Sequence, residues 1–543
     1  MVFARRSTTL LAAIIASCAM VLSLTACTSD NKTVVDGQTT VTSNSAGGVA
    51  VFTPSDGITL NQQTPLNKWA KLVPDLAKAL ADAGFKKGDI DHTTSDSLAK
   101  QSRAIQDFVV DHLSNNTTDD SGIAIAPDNM TLLVAPVVEA DASTRQYGDY
   151  ISQNLSTNDA TDGEATSDGE SSEDDSSKDD SSNTESDSTA SDEQAQAVDR
   201  LVSSLKLAKE SGMHVVLLGN SIEGYKPDAF VKFSDAQTIG KLQAEKMVSK
   251  LKLDKASKDN PKYIEVLLPY TAVDEKGNAN DSTFAQEAFR GIWQVLGSYY
   301  QKGVVESPSG TLDGKSTEND WQAVAYDAAK EGSTAKVLDK RLAKTDGQST
   351  LTRIDGIITM NDYIASEVVK ELDDLGYTGS AADINPQITI SGIVGNITGK
   401  KDLSRDAVPD PIKSPENDNA NDSSSSDDDA DEDTSASDKD RDSQWPLVTG
   451  YGAYVSNNPS IVNGKQWMTG MEDRQTIATD IAQACAKLNK DEALNSMPSI
   501  RNSEVGGVKK IPTISEPLLA VSASNLKSAL IDPGYISLAD AGL

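Results

Sequence analysis

Histidine, cysteine and aromatic residues are scarce in this sequence, and positive charge is in deficit. The 543 residues include three His, three Cys and 5% aromatic residues, and 49 Lys and Arg stand against 82 Asp and Glu, a formal net charge of −33. Three scattered histidines cannot form a His-rich metal site. A surface this acidic repels a phosphate backbone. We therefore predict no nucleic-acid partner and no metal.

Sequence motifs of common enzymes are also missing. There is no H-E-x-x-H, no G-x-S-x-G, no Walker loop and no G-x-G-x-x-G after a strand. Asp and Glu are so numerous that no pair stands out as a general acid and base, and the sequence leaves such a pair open. We expect a protein that is not an enzyme and needs no cofactor.

Only the N-terminal 27 residues contain a long apolar run. Two arginines precede the apolar stretch Leu10 to Leu24, and Leu24-Thr25-Ala26-Cys27 follows with small residues before a cysteine. This pattern resembles the lipobox of bacterial lipoproteins, which implies cleavage before Cys27 and its lipidation. The alternatives are an ordinary signal peptide or a transmembrane helix. We predict a lipoprotein signal peptide at 1–26, a lipid-anchored tether at 27–47, and a location on the extracytoplasmic face of the cell membrane.

One cysteine remains after Cys18 and Cys27 are accounted for, so an intramolecular disulfide is impossible. Cys485 shares a predicted helix face with three apolar residues, where a buried thiol is usually inert packing.

Two segments carry most of the negative charge. Residues 156–194 hold 14 acids and one Lys, and residues 414–443 hold 12 acids and two bases. Because these segments are made almost entirely of small polar and acidic residues, they cannot build a core, and we predict that both are disordered insertions. Loose association with divalent cations is an open alternative, but the second segment lacks the turn glycine and closing glutamate of an EF-hand loop.

Short β-rich runs alternate with amphipathic helical stretches from Gly48 onward, a pattern typical of α/β folds with parallel sheets. Residues 140–155 and 197–209 read as one helical region that the first acidic segment splits. A helix face also runs through Trp69 to Leu80, although Pro74 is unusual inside a helix and allows Trp69 to lie in the preceding loop. The predicted strands lie at 49–52, 132–135, 214–218, 263–268, 354–359, 388–390 and 447–449.

Several segments in a fixed order resemble type I periplasmic solute-binding proteins of sugar ABC importers, in particular the xylose- and ribose-binding-like members. The strand Asp355 to Thr359 is followed by Met360-Asn361-Asp362 and a helix, as in that family. The other matching segments are Phe233-Ser234-Asp235 leading to Ile239-Gly240-Lys241-Leu242, Ala288-Phe289-Arg290-Gly291, Gly464-Lys465-Gln466-Trp467-Met468-Thr469, and the closing stretch from Ile511-Pro512-Thr513 to Gly534-Tyr535-Ile536.

The resemblance implies an α/β fold of two Rossmann-like lobes with mainly parallel sheets, joined by a three-crossing hinge. The ligand then lies between the lobes at the carboxyl ends of the strands. The implied division is an N-terminal lobe at 48–231 with the insertion 156–194, a C-terminal lobe at 232–470 with the insertion 414–443, a return to the first lobe at 471–515, and the last crossing and C-terminal segment at 516–543.

The resemblance also implies ligand-binding residues. Asn361 matches the binding Asn of the family and Asp362 follows it, although both could simply cap the following helix. Asn220 and Asp235 are further polar candidates. Trp69, Trp321 and Trp467 are candidate aromatic walls, although each could equally be a core or surface ring.

Other positions depart from the family pattern. The Asp-Arg pair that clamps sugar hydroxyls falls on Asn220-Ser221, an expected Lys falls on Glu472, and polar residues before Phe289 fall on Thr283-Phe284-Ala285. Each lost hydrogen bond to a charged group costs about 1.5–3 kcal/mol of affinity. The ligand therefore remains open among a sugar, a larger glycan, a less polar compound and none.

The leading hypothesis is a monomeric solute-binding lipoprotein of an ABC importer, which binds a carbohydrate in the interlobe cleft and delivers it to a permease. The alternative is a degenerate member of the fold that serves as a cell-surface sensory or interaction protein without a transport ligand.

Overall fold

The computed structural model describes residues 46–55, 65–115, 125–138, 144–156, 184–273, 280–343, 350–382 and 443–543. Cys27, the signal sequence, the predicted strand at 388–390 and nearly all of the second acidic segment lie outside these residues. None of the described helices combines the length and apolarity needed to cross a bilayer. Residues Ser45–Leu543 form one compact unit.

Seventeen strands are found in the described part of the chain. They are β1 (Gly48–Pro54), β2 (Ile90–Ser95), β3 (Met130–Val134), β4 (Asn154–Leu155), β5 (His214–Leu218), β6 (Ser221–Ile222), β7 (Ala229–Val231), β8 (Lys262–Val266), β9 (Leu268–Pro269), β10 (Val305–Glu306), β11 (Ala325–Tyr326), β12 (Gly356–Ile358), β13 (Leu447–Tyr451), β14 (Met468–Met471), β15 (Ile500–Val505), β16 (Val508–Ile514) and β17 (Leu519–Ser522).

The helices connect or follow these strands. Within the described ranges they are α1 (Trp69–Asp82), α2 (Leu98–Asn115), α3 (Thr184–Glu210), α4 (Ala236–Leu251), α5 (Thr283–Gln301), α6 (Trp321–Val324), α7 (Ser333–Arg341), α8 (Asp362–Leu375), α9 (Asn458–Val462) and α10 (Arg474–Leu488).

Two large sheets organise the molecule. Sheet 1, the centre of lobe 1, has the order β15-β16-β7-β5-β3-β1-β2. Sheet 2, the centre of lobe 2, has the order β10-β8-β12-β13-β14-β17. All neighbouring pairs in them are parallel except β15 with β16 and β14 with β17. Two small sheets pair β9 with β11 and β4 with β6.

Helices cover both faces of each large sheet, which explains why the central strands are runs of buried apolar residues. In lobe 1, α1 and α10 pack on one face and α2 and α3 on the other. In lobe 2, α4 and α5 cover one face and α7 and α8 the other. Cys485 lies fully buried in α10, within the lobe 1 core.

The chain passes between the two lobes three times. The first crossing is residues 232–235, between β7 and α4; the second is residues 472–473, between β14 and α10; the third is residues 515–518, between β16 and β17. The predicted fold class of two α/β lobes, mainly parallel sheets and a three-crossing hinge is thus confirmed. The residue bounds that the sequence predicts for the lobes remain predictions.

Two sequence predictions near the first acidic segment are wrong. Helix α3 begins at Thr184, so residues 184–194, predicted to be disordered, are helical; they extend the helix N-terminally from its buried face, which begins at Ala197. Residues 144–155, predicted to be helical, form a 3-10 turn at Arg145–Tyr147 and the short strand β4. Gly148 has φ 101°, which no α-helix accommodates, so the helix cannot continue through it.

Candidate ligand site between the lobes

The carboxyl ends of two lobe 2 strands face a segment of lobe 1 in a partly buried polar contact. Asn361 follows β12 and Tyr454 follows β13 in lobe 2, and both bind Gln146, which belongs to residues 144–151, called here the bridging segment. Asn361 Nδ2 donates to Gln146 Oε1 at 3.2 Å, and Tyr454 Oη donates to the Gln146 carbonyl at 2.7 Å. Ligands of open α/β sheets bind at such strand ends. We take this contact as the centre of the candidate site.

Asn361 has two roles in this contact. It is fully buried, and its Oδ1 accepts from the Ile364 amide at 2.9 Å as the N-cap of α8. Its amide nitrogen is thereby directed across the lobe boundary to Gln146. The helix-capping and site-forming interpretations of this residue are therefore both consistent with its geometry.

Two non-glycine residues at the strand ends adopt left-handed backbone conformations. Met360 has φ 69° and Ala453 has φ 50°, and both are fully buried. Such conformations cost about 1–3 kcal/mol each and cluster at ligand sites and switch regions. They occur here immediately before Asn361 and Tyr454, the two residues that cross to Gln146.

Asp362 is enclosed by protein donors. Its carboxylate accepts from the Tyr454 amide at 2.9 Å, from Gln466 Nε2 at 2.7 Å and from Thr469 Oγ1 at 2.8 Å. Burial raises its pKa to about 6, although these hydrogen bonds oppose the shift. The structure thus places Asp362 behind the contact surface, where it ties α8 to the loop after β13 and to the start of β14.

The two polar candidates on the lobe 1 side also bind protein groups. Asn220 is buried; its Nδ2 donates to the Pro136 carbonyl and its Oδ1 accepts from the Gln153 amide, both at 2.9 Å. It joins the ends of β3 and β5 to the chain after the bridging segment. Asp235 lies in the first crossing, caps α4 through Thr238, and its hydrogen bonds lower its pKa despite partial burial.

The three candidate tryptophans are buried in different places. Trp69 is the first residue of α1 and packs edge-to-face on Tyr150 and Phe233, with ring centroids 5.0 and 5.7 Å apart. Trp321 packs edge-to-face on Tyr270 at 5.1 Å, within lobe 2. Trp467 lies in the same lobe 2 core. Trp69 thereby contacts the bridging segment through Tyr150.

The bridging segment is the principal feature that the sequence did not reveal. Tyr147 is 1% exposed and lies in the lobe 2 core, with its ring centroid 4.6 Å from Phe284 and 6.2 Å from Tyr451. Burial raises the pKa of its hydroxyl, and the Asn361 amide beside it opposes that shift. One aromatic side chain therefore fills the region between Asn361 and Phe284.

The other end of the bridging segment is held by lobe 1. Asp149 pairs with Lys68 at 2.6 Å and accepts from the Trp69 amide at 3.1 Å. Tyr150 donates to the Lys68 carbonyl at 2.6 Å, and its ring stacks on Phe233 at 4.6 Å. The segment is thus fixed at the start of α1 and in the first crossing while Tyr147 projects into lobe 2.

A buried glutamate links the first two crossings. Glu472 is 1% exposed; its Oε1 accepts from the Ser234 amide at 2.8 Å and from Tyr451 Oη at 3.3 Å. Burial raises its pKa to about 7, with Asp235 adding to the shift.

In the third crossing, burial and the neighbouring Asp480 carboxylate raise the pKa of Glu516 to about 7. Carboxylates with a raised pKa therefore lie in two of the three crossings.

Among the described residues, no group of three or more His, Cys, Asp and Glu is placed to hold a metal ion.

No protein-family model matches the sequence, and no curated protein matches it. Solved structures with a similar arrangement include an ABC transporter solute-binding protein from Clostridium phytofermentans with bound β-D-glucose, at 17% identity over 91% of this chain and 99% of that chain, with a TM-score of 0.43. A carbohydrate transporter solute-binding protein from Chloroflexus aurantiacus in complex with D-glucose has 17% identity over 91% and 98%, with a TM-score of 0.43.

A periplasmic solute-binding protein of an ABC transporter from Actinobacillus succinogenes with bound D-allose is 11% identical over 89% of this chain and 99% of that chain, with a TM-score of 0.39. At these identities and TM-scores the likeness carries no argument about ligand or activity, and the site must be judged by its own residues.

Proposed function

We propose that this chain is a membrane-anchored solute-binding lipoprotein of an ABC importer, related to the type I sugar-binding family, that binds a carbohydrate between its lobes. It performs no catalysis and passes its ligand to a permease. The observation that carries the proposal is the contact of Asn361 and Tyr454, at strand ends of lobe 2, with Gln146 of the lobe 1 bridging segment, beside aromatic rings. A few directed polar groups among aromatic walls are characteristic of small-molecule sites.

Rotation of the lobes about the hinge is the proposed mechanism of ligand capture. Three short crossings let the lobes rotate as rigid bodies, because each lobe keeps its own sheet and helices. A ligand that contacts both lobes binds the closed form better and shifts the population toward it. The permease then distinguishes the loaded protein by the closed arrangement of its lobes.

Calorimetric titration tests the carbohydrate proposal. The full-length chain in lipid nanodiscs is expected to bind at least one mono- or oligosaccharide, and Asn361→Ser is expected to weaken that binding about tenfold, the equivalent of about 1.4 kcal/mol. Serine retains a good helix cap and removes only the amide donor.

Asp313→Ser is the control, because Asp313 accepts from the Lys315 and Ser316 amides in an exposed turn outside the crossings. It should bind like the wild type. Uniformly flat heats with all sugars would rule out the carbohydrate proposal.

Lipid anchoring is tested by fractionation. The wild-type chain should sediment with membranes and incorporate a labelled fatty acid, and Cys27→Ser should incorporate none, since the sequence offers no other candidate lipidation site after the signal peptide. Cys18→Ser, inside the predicted signal peptide, serves as control and should leave the distribution unchanged. Fatty-acid label on Cys27→Ser equal to that on the wild type would contradict the lipobox interpretation.

A second candidate function is favoured by Tyr147. Its ring occupies the space beside Asn361 and Phe284, as expected of a degenerate cleft in a cell-surface sensory or interaction protein. Flat calorimetric heats together with membrane anchoring would favour this second function.

A further inference from the structure

We infer that Tyr147 is an internal occupant of the ligand site, which holds the two lobes together and must leave before a pyranose-sized ring can bind. This inference rests on the proposed function for the identity of the ligand, but its effect on the lobes can be measured without any ligand.

The first argument is the position of the ring. Tyr147 belongs to a segment fixed to lobe 1 by Asp149 and Tyr150, yet its side chain is 1% exposed within the lobe 2 core. Its neighbours there are Phe284 at the start of α5 and Tyr451 at the end of β13. Opening the lobes would expose this ring to water, so its burial favours the closed form.

The second argument is the match between Tyr147 and a cyclic solute. A phenol ring and a pyranose are both six-membered rings, and aromatic walls with one directed amide suit either of them. The Asn361 amide is beside the Tyr147 hydroxyl, and Phe284 lies against its ring. Asn361 immediately precedes α8, and Phe284 lies in the first turn of α5. Both residues therefore stand at helix N-termini on the side of lobe 2 where its strands end.

The third argument is that the hydroxyl is poorly satisfied. The Tyr147 oxygen is buried, and the Asn361 amide beside it donates to Gln146 and makes no hydrogen bond of ordinary geometry with the Tyr147 oxygen within the described structure. A buried hydroxyl without a partner is costly. A ligand ring with a hydroxyl placed for the Asn361 amide would avoid that cost, so the tyrosine is an occupant that a fitted solute can replace.

The fourth argument is that the backbone conformation at Gly148 directs the Tyr147 side chain into lobe 2. Gly148 has φ 101°, and a Cβ atom there would lie 2.4 Å from the Asn67 carbonyl oxygen. Only glycine can make this turn at this distance. Substitution of Gly148 should therefore displace Tyr147 without changing its ring.

Competition of this kind reduces apparent affinity by the fraction of molecules in which the site is free. In calorimetric titrations of the full-length chain in nanodiscs with D-glucose, D-galactose and D-xylose, Tyr147→Ala and Gly148→Ala should bind at least tenfold more tightly than the wild type. Tyr147→Phe retains the ring and should bind no more tightly than the wild type.

Tyr225→Ala is the matched control. Tyr225 is a buried tyrosine of the lobe 1 core whose hydroxyl is also unpaired, and it lies outside the lobe contact. Its loss should destabilise the chain without tightening binding. If Tyr147→Ala binds the same sugar equally or less tightly than the wild type does, the ring is a core or contact residue and the competition is overturned.

A second readout separates this inference from the proposed function. Spin labels are attached at Lys87→Cys in lobe 1 and Lys302→Cys in lobe 2, both exposed positions. Double electron–electron resonance then measures the distance between the two labels without sugar. Tyr147→Ala should broaden and lengthen this distance, whereas Tyr147→Phe and Tyr225→Ala should not. An unchanged distance would overturn the inference. Lengthening in a chain that binds none of the sugars would support the internal occupant and count against carbohydrate transport.

Discussion

Asp362→Ala is expected to lower the free energy of unfolding by at least about 3 kcal/mol. The substitution leaves the Tyr454 amide, Gln466 Nε2 and Thr469 Oγ1 buried without an acceptor, and each such group costs about 1–3 kcal/mol. Denaturation in urea, followed by circular dichroism, measures the change.

Asp374→Ala is the control for this prediction. Asp374 lies on the same helix with its side chain exposed, so its loss should change stability by no more than about 0.5 kcal/mol. Equal effects of the two substitutions would show that the polar network around Asp362 adds nothing to stability. A large effect confined to Asp362 would show that its hydrogen bonds stabilise the junction of α8 with the loop after β13 and with β14.

Raising the pH from 5 to 8 is expected to destabilise the folded chain through Glu472. Burial raises the pKa of Glu472 to about 7 from its ordinary value of 4.5, so the folded state holds a proton that the unfolded state releases. This contribution is fully present below about pH 4.5 and is lost as the pH rises through 7. Its size is about 3 kcal/mol, at 1.36 kcal/mol for each pKa unit.

Glu472→Gln should flatten the dependence of unfolding free energy on pH in this range. Asp362, whose pKa is raised to about 6, acts in the same direction, and His112, whose pKa is lowered by burial, acts in the opposite direction. Both are unchanged in the variant, so the difference between the two pH profiles isolates Glu472. Glu504→Gln, on the exposed side of β15, should retain the wild-type slope. A Glu472→Gln profile parallel to that of the wild type would contradict the prediction.

The sequence predicted the strands that helices cover on both faces of a sheet. His214 to Leu218 and Tyr263 to Leu268 are apolar runs apart from His214 and Glu265, and they lie in β5 and β8 with a shift of one or two residues at most. Polar or glycine-containing strands were missed, as in β2 and β14. Their β-structure depends on pairing with neighbours remote in sequence and not on local preference.

The candidate site was only partly predictable for a related reason. Asn361 was found because a strand, an Asn-Asp pair and a helix follow one another locally in the sequence. Tyr147 was missed because the seven residues from Thr144 to Tyr150 look polar and helical, and the rings that enclose Tyr147 are more than a hundred positions away. The local signal that could have prompted suspicion is Gly148 between two tyrosine-containing turns.

The last crossing has a consequence for how the chain is made. Sheet 1 receives β15 and β16, and sheet 2 receives β17, from residues 500–522. While a ribosome still holds that stretch, β7 and β14 both present unpaired backbone groups along one edge. Such edges are templates for pairing with other chains. A nascent or prematurely terminated chain can therefore aggregate through the edge of β7 and through the edge of β14. Chaperones must cover both edges until residues 500–522 emerge.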